Sequence, residues 1–172
     1  MLVRQTTKSD IDKILLIIEA AREYFREAGI PQWQGEYPSR EVIESDMARG
    51  ESYVCECGGE ICAFCAIVGG TEPDYVKIYE GEWKNDREYI SLHRVAVSPD
   101  FKGRGVGAAF VSKAVELALE RSVYDIKCDT HRDNASMRRM LEKNGFEECG
   151  IIYLVKDGEE RIAYQKVIDI NK

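Results

Sequence analysis

Two features of this sequence could do chemistry. Val95-Ala96-Val97 runs into Ser98-Pro99-Asp100-Phe101-Lys102-Gly103-Arg104-Gly105-Val106-Gly107, a glycine-rich turn that opens an apolar, helix-periodic segment. Glycines let a backbone approach an anion closely. The first N–H groups of a helix have no internal acceptor, so such a turn can bind phosphate through main-chain donors, aided by the helix dipole. Lys102 and Arg104 add counter-charge, and a pyrophosphate is the natural guest. The second feature is the pair of histidines, His93 and His131. Histidine is the side chain whose ordinary titration falls near neutrality. His93 lies two positions before Val95, and His131 stands close to Asp133.

The six cysteines, Cys55, Cys57, Cys62, Cys65, Cys128 and Cys149, invite a metal reading that strand geometry opposes. The segment around Gly58-Gly59 reads as a hairpin, and on a strand Cys62 and Cys65 point to opposite faces. No histidine lies nearby. The expectation is thiols kept apart, no metal, and reduced cysteines packed as small hydrophobes.

The elements that must position these groups follow from periodicity. Leu2 to Thr6 reads as a strand, and Ser9 to Ala28 as an amphipathic helix carrying Ile11, Ile14, Leu15, Ile18, Ala21 and Phe25, stopped at Gly29. Ser39 caps a short helix through Met47. Strands at 51–57 and 60–68 form the hairpin, and 69–88 is a long polar stretch of the kind that is usually functional or mobile. Tyr89 to Val97 is a strand, and the helix after the glycine turn shows Val106, Phe110, Ala114, Leu117 and Ala118 on one face. Strand 124–130, helix 134–143 and a closing hairpin around Asp157-Gly158 complete the order β-α-α-β-β-β-α-β-α-β-β. That order predicts an α+β fold with a mixed, mostly antiparallel central sheet flanked by helices.

With 172 residues, one domain spanning 1–172 is expected. The composition, 44% hydrophobic and 32% charged, excludes a disordered tail. No apolar run approaches the ~20 residues of a membrane span, and Met1 to Gln5 lacks a signal-peptide core. A soluble, cytoplasmic protein without a membrane partner is expected. The formal charge of −7 argues against nucleic acid as the main partner and suits a cationic substrate.

Gly103-x-Gly105-x-x-Ala108 formally fits the dinucleotide fingerprint, with Asp125 and Asp129 about twenty residues on. That fold normally builds several parallel β-α units around the motif, whereas hairpins precede it here. A P-loop is excluded, because no Gly-Lys-Ser/Thr follows at the required spacing.

The element order and two motifs together resemble the GNAT superfamily of acyl-CoA-dependent N-acetyltransferases. The superfamily's pyrophosphate loop, Arg/Gln-x-x-Gly-x-Gly/Ala, is matched by Lys102 to Gly107, with Lys in the first place. Its Asn-led helix ending in Lys-x-Gly-Phe is matched by Asn134 to Phe146. The resemblance implies an N-acetyltransferase with acetyl-CoA as cosubstrate and no metal. Lys102, Gly103, Arg104, Gly105, Val106 and Gly107 would hold the pyrophosphate. The main chain of Val95 and Val97, together with Asn134, would contact the pantetheine. Arg138, one turn beyond Asn134, would reach the cofactor or stand as a solvated helix charge. Where many members place a general-acid Tyr, this chain has Leu141, so Tyr153, Tyr164 or water would have to serve. That departure keeps a competing reading open, a catalytically silent acyl-CoA-binding module acting as sensor or subunit.

The implied reaction is attack of a primary amine on the thioester. The amine must lose a proton, and the base candidates are His93 or, through water, Glu23 or Glu82. His131 reads more readily as a turn residue. The acceptor pocket is expected from Trp33, Tyr37 and Trp83, with Gln34, Tyr75 and Tyr79 in the same segments. Aromatic faces suit a cationic amine, although such side chains also serve as plain core. The acceptor is a small molecule or a protein, and homodimer formation stays open.

Overall fold

The computed structural model describes residues 1–170. Its elements are β1 (Leu2–Gln5), α1 (Ile11–Glu27), α2 (Arg40–Ala48), β2 (Ser52–Cys57), β3 (Glu60–Gly69), β4 (Ile90–Val97), α3 (Val106–Glu120), β5 (Asp125–Thr130), α4 (Ala135–Lys143), β6 (Glu147–Tyr153) and β7 (Glu160–Val167). The order agrees with the periodicity reading. The seven strands hydrogen-bond in the order β1-β2-β3-β4-β5-β7-β6. β4 and β5 run parallel, with Ile90 opposite Ile126, while β1/β2, β2/β3, β5/β7 and β6/β7 are antiparallel. The fold is α+β with a mixed sheet. No helix among the described residues is long and apolar enough to cross a membrane.

Two compact units can be distinguished, 1–67 with 93–113 and 68–92 with the chain from 114 onward. In the first, α1 and α2 pack on β2 and β3. Ile11, Ile14 and Ile18 recur at helical spacing on α1 and pack with Ile43, Val54 and Phe64, all buried. In the second, Tyr75, Ile152 and Ala163 form a buried cluster against which Trp83 and Tyr89 pack.

The first helix begins later than its periodicity predicts. Residues 8–10 form a 3-10 turn, and α1 starts at Ile11. The Asp10 N–H closes that turn on the Thr7 carbonyl at 3.0 Å, and the Asp10 carboxylate accepts back from the Thr7 N–H at 2.8 Å. Arg4 adds a bidentate grip on the same carboxylate, at 2.8 and 3.0 Å. The bond from Arg4 holds the Asp10 carboxyl down at about 2 against the opposing effect of burial. Because the folded carboxyl is the more acidic, its stabilisation is complete above the unfolded value of ~4. It is lost as pH falls from there toward the folded value. With Arg4 31% exposed, solvent screening limits the contribution to about 1–2 kcal/mol. Urea denaturation of Asp10→Asn is therefore expected to show reduced stability at neutral pH. It should also show a smaller loss on acidification than the parent. An identical acid limb in the variant would show that the pair is not the source.

The β2/β3 hairpin corrects the expectation that strand geometry keeps the thiols apart. Cys55 pairs with Ala63, but the next pair is Glu56 with Ile61, so Cys62 is the extra residue of a β-bulge. A bulge breaks the period-two alternation. The Cys62 thiol therefore lies 3.1 Å from that of Cys57, and Cys55, Cys57 and Cys62 converge. No disulfide joins any of the six cysteines in this structure.

Candidate active site

The glycine turn is built in the first unit. The Ser98 N–H donates to the Cys62 carbonyl at 2.9 Å, which anchors the end of β4 to the bulge in β3. A single 3-10 turn over Pro99–Phe101 follows. Gly103 and Gly105 then adopt φ values of 76° and 81°, in the left-handed region where a Cβ is strained. Neither site is crowded, since a Cβ at either would meet nothing within 4 Å. The turn requires glycine here for its dihedrals. The Ala109 N–H donates to the Gly105 carbonyl as the first bond of α3, so the N–H groups just before it lie at an open helix N-terminus. Arg104 is exposed and lies 5.2 Å from the Phe101 ring centroid. The Lys102 ammonium is drawn back over the Tyr24 ring, 3.6 Å from its centroid. Burial lowers its pKa.

On β4, Leu92 and Ala96 are buried, and His93, Val95 and Val97 are half-buried. Between His93 and Val95 stands a residue that the sequence reading missed. Arg94 has φ 56°, a left-handed conformation inside a strand. Its Nε and Nη2 each donate to Asp46 of α2 at 2.9 Å, and its Nη1 donates to the Tyr37 hydroxyl at 2.9 Å. Arg49 binds the same carboxylate at 2.6 Å. Asp46 is 1% exposed, and burial pushes its carboxyl up against the pull of the two guanidiniums. The sequence signal for this network was a single arginine inside a strand of mainly apolar residues.

The second unit carries the α4 groups. Asn134 is buried and caps α4, its Oδ1 accepting from the Met137 N–H at 3.2 Å. Arg138 spends its guanidinium on the chain's own groups, donating to the Tyr164 hydroxyl at 3.0 Å, the Arg132 carbonyl at 3.2 Å and Glu148 at 3.1 Å. Leu141 is fully buried core. Of the substitute acids, Tyr164 is fully buried, and burial raises its pKa against the influence of Arg138. Tyr153 is exposed and packs edge-on against Tyr79. The His131 Nδ1 accepts from the Asp133 N–H at 3.2 Å, as a turn residue would.

A model of the acetyltransferase (GNAT) family matches residues 17–146, which include β4, the glycine turn and α4. The chain belongs to that family. A GNAT-family acetyltransferase from Streptococcus agalactiae 2603 is 37% identical, with 98% of this chain and 95% of that one covered and a TM-score of 0.89. An uncharacterized N-acetyltransferase of Methanocaldococcus jannaschii is 27% identical over 157 residues, 87% of this chain. The present chain spans 62% of that relative's length. N-acetylaspartate synthetase of Danio rerio is 26% identical over 122 residues, covering 66% of this chain and 42% of the relative.

In this GNAT chain the aromatic candidates fall into two settings. Trp33 and Tyr37 belong to the first unit, in the loop between α1 and α2, which Arg22 braces by donating to the Glu36 and Pro38 carbonyls. Trp33 packs edge-on against Phe25, and Tyr37 accepts from Arg94. Trp83 belongs to the second unit, where its Nε1 donates to the Tyr75 carbonyl at 3.0 Å. The chain's own Lys127 places its ammonium 4.1 Å from the Trp83 centroid and 4.0 Å from that of Tyr89. The cation that Trp83 meets is therefore an internal one. The carboxylate alternatives differ in setting, since Glu23 faces Arg26 at the surface and Glu82 is exposed.

Proposed function

We propose that this GNAT acetyltransferase moves an acetyl group from acetyl-CoA to a primary amine of a small molecule or protein by direct attack on the thioester. The observation that carries the reading is the turn at Gly103 and Gly105, which leaves β4 and presents the open N-terminus of α3. Main-chain donors at Lys102 to Gly107 would take the pyrophosphate, and Val95 and Val97 would take the pantetheine. The names of the N-acetylating relatives support an amine acceptor.

An alkyl ammonium titrates near ~10, so it must give up a proton before it attacks. His93, next to the left-handed Arg94 on β4, takes that proton. The new N–C bond forms as the carbonyl becomes an oxyanion, held by main-chain N–H donors. The C–S bond then breaks, the thiolate leaves, and the second proton of the attacking nitrogen passes to it, giving the amide and free CoA thiol. A thiol titrates near ~8.5, so its anion departs without a strong acid, and the buried Leu141 does not disqualify turnover.

Release of CoA thiol from acetyl-CoA in the presence of a panel of amines tests the activity. Binding of acetyl-CoA with no turnover on any amine would point to a silent acyl-CoA-binding module. Gly105→Glu tests the placement of the cofactor. Forcing a side chain into φ 81° costs about 1–2 kcal/mol, and the added anion repels phosphate. Calorimetry is expected to show acetyl-CoA binding weakened by roughly ten- to a hundredfold. A folded variant with unchanged affinity would move the pyrophosphate elsewhere.

A further inference from the structure

We propose that Cys55, Cys57 and Cys62 form a binding site for one divalent d10 metal ion of the zinc type, held by three thiolates. Their Sγ atoms all lie within 4.8 Å of one another, and those of Cys57 and Cys62 are 3.1 Å apart. A metal–sulfur bond of ~2.3 Å requires sulfurs spaced by about 4 Å, within the range seen here, so shifts of about 1 Å at the sulfurs would seat an ion. Among the described residues no carboxylate or imidazole joins the three sulfurs. The neighbouring carboxylates of Glu56 and Glu60 are engaged by Arg4 and Lys13. An all-sulfur donor set selects thiophilic ions.

Charge decides among them. Cys55 and Cys62 are fully buried, and burial pushes both thiols up. The Cys62 S–H donates to the Cys55 carbonyl at 3.2 Å. Binding breaks three S–H bonds, releases three protons and forms three S–metal bonds. A divalent ion leaves one net negative charge on the site, a monovalent ion two. Burying the smaller charge costs far less. Cys57 is only half-buried, which gives the ion a route in and a fourth position facing solvent.

The site stands on thiol geometry alone and is independent of the acyl-transfer reading. The test is titration of the reduced full chain with Cd²⁺, read by thiolate-to-cadmium charge-transfer absorption. One equivalent is expected to saturate the signal. Cys57→Ser and Cys62→Ser are each expected to weaken binding at least a hundredfold, while Cys65→Ser and Cys149→Ser leave it unchanged. Absence of the band, or its survival in Cys57→Ser, would overturn the proposal. So would failure of the reduced protein to take up Cd²⁺ while air oxidation joins Cys57 to Cys62, because the two would then be a redox pair.

Discussion

Replacing His93 by alanine is expected to lower kcat by roughly 10²–10⁴-fold, the range for loss of a general base. The expectation rests on position. His93 sits on β4 immediately before Arg94, whose backbone is left-handed within the strand, and two residues before Val95. The other histidine, His131, is committed to its turn through the Asp133 N–H. Because the imidazole serves the amine and not the cofactor, acetyl-CoA affinity should change little. A base must be deprotonated to act, so activity falls as pH drops, and that acid-side fall should flatten in the variant. His93→Gln keeps a polar side chain of similar reach and should be equally slow. A structural role would instead show as lost thermal stability with the pH profile intact. Near-normal kcat in a folded His93→Ala enzyme would transfer the task to Glu23 or Glu82 acting through water.

Asp46→Ala should cost about 3–5 kcal/mol of stability, the penalty for leaving a buried ion pair half-made. Asp46 is 1% exposed and accepts from both Arg94 and Arg49, while the Arg94 side chain is 13% exposed. Removing the carboxylate strands the Arg94 guanidinium in a low-dielectric setting. It also releases the carboxylate that grips a left-handed residue in β4, a conformation that itself costs about 1–2 kcal/mol. Chemical denaturation checks the loss. The double variant Asp46→Leu with Arg94→Met should recover much of it, since an apolar pair of similar volume needs no counter-charge. A single variant that loses under about 1 kcal/mol would mean that Arg94 finds other partners. Activity should fall in the double variant even where stability returns, because β4 then no longer holds His93 and Val95 on either side of a fixed turn.

The sequence alone determined the element order, since each helix and strand carries its own periodicity and its own stops. Ile11, Ile14 and Ile18 mark the buried face of α1, Gly58-Gly59 marks the hairpin, and Asn134 marks where α4 begins. The glycine turn was legible because Gly103 and Gly105 supply dihedrals that few other residues adopt. What only the tertiary structure decided comes down largely to single residues that break a period. One extra residue at Cys62 turns its thiol toward Cys55 and Cys57, and one left-handed residue at Arg94 turns a strand arginine into the partner of Asp46. Neither break has a local signature, because each is set by partners 7 and 48 positions away in the chain. The same holds for Lys127, whose ammonium occupies the aromatic faces of Trp83 and Tyr89. Pattern reports which face a residue prefers. Long-range contacts report which neighbour it meets there, and the chemistry of a side chain depends on that neighbour.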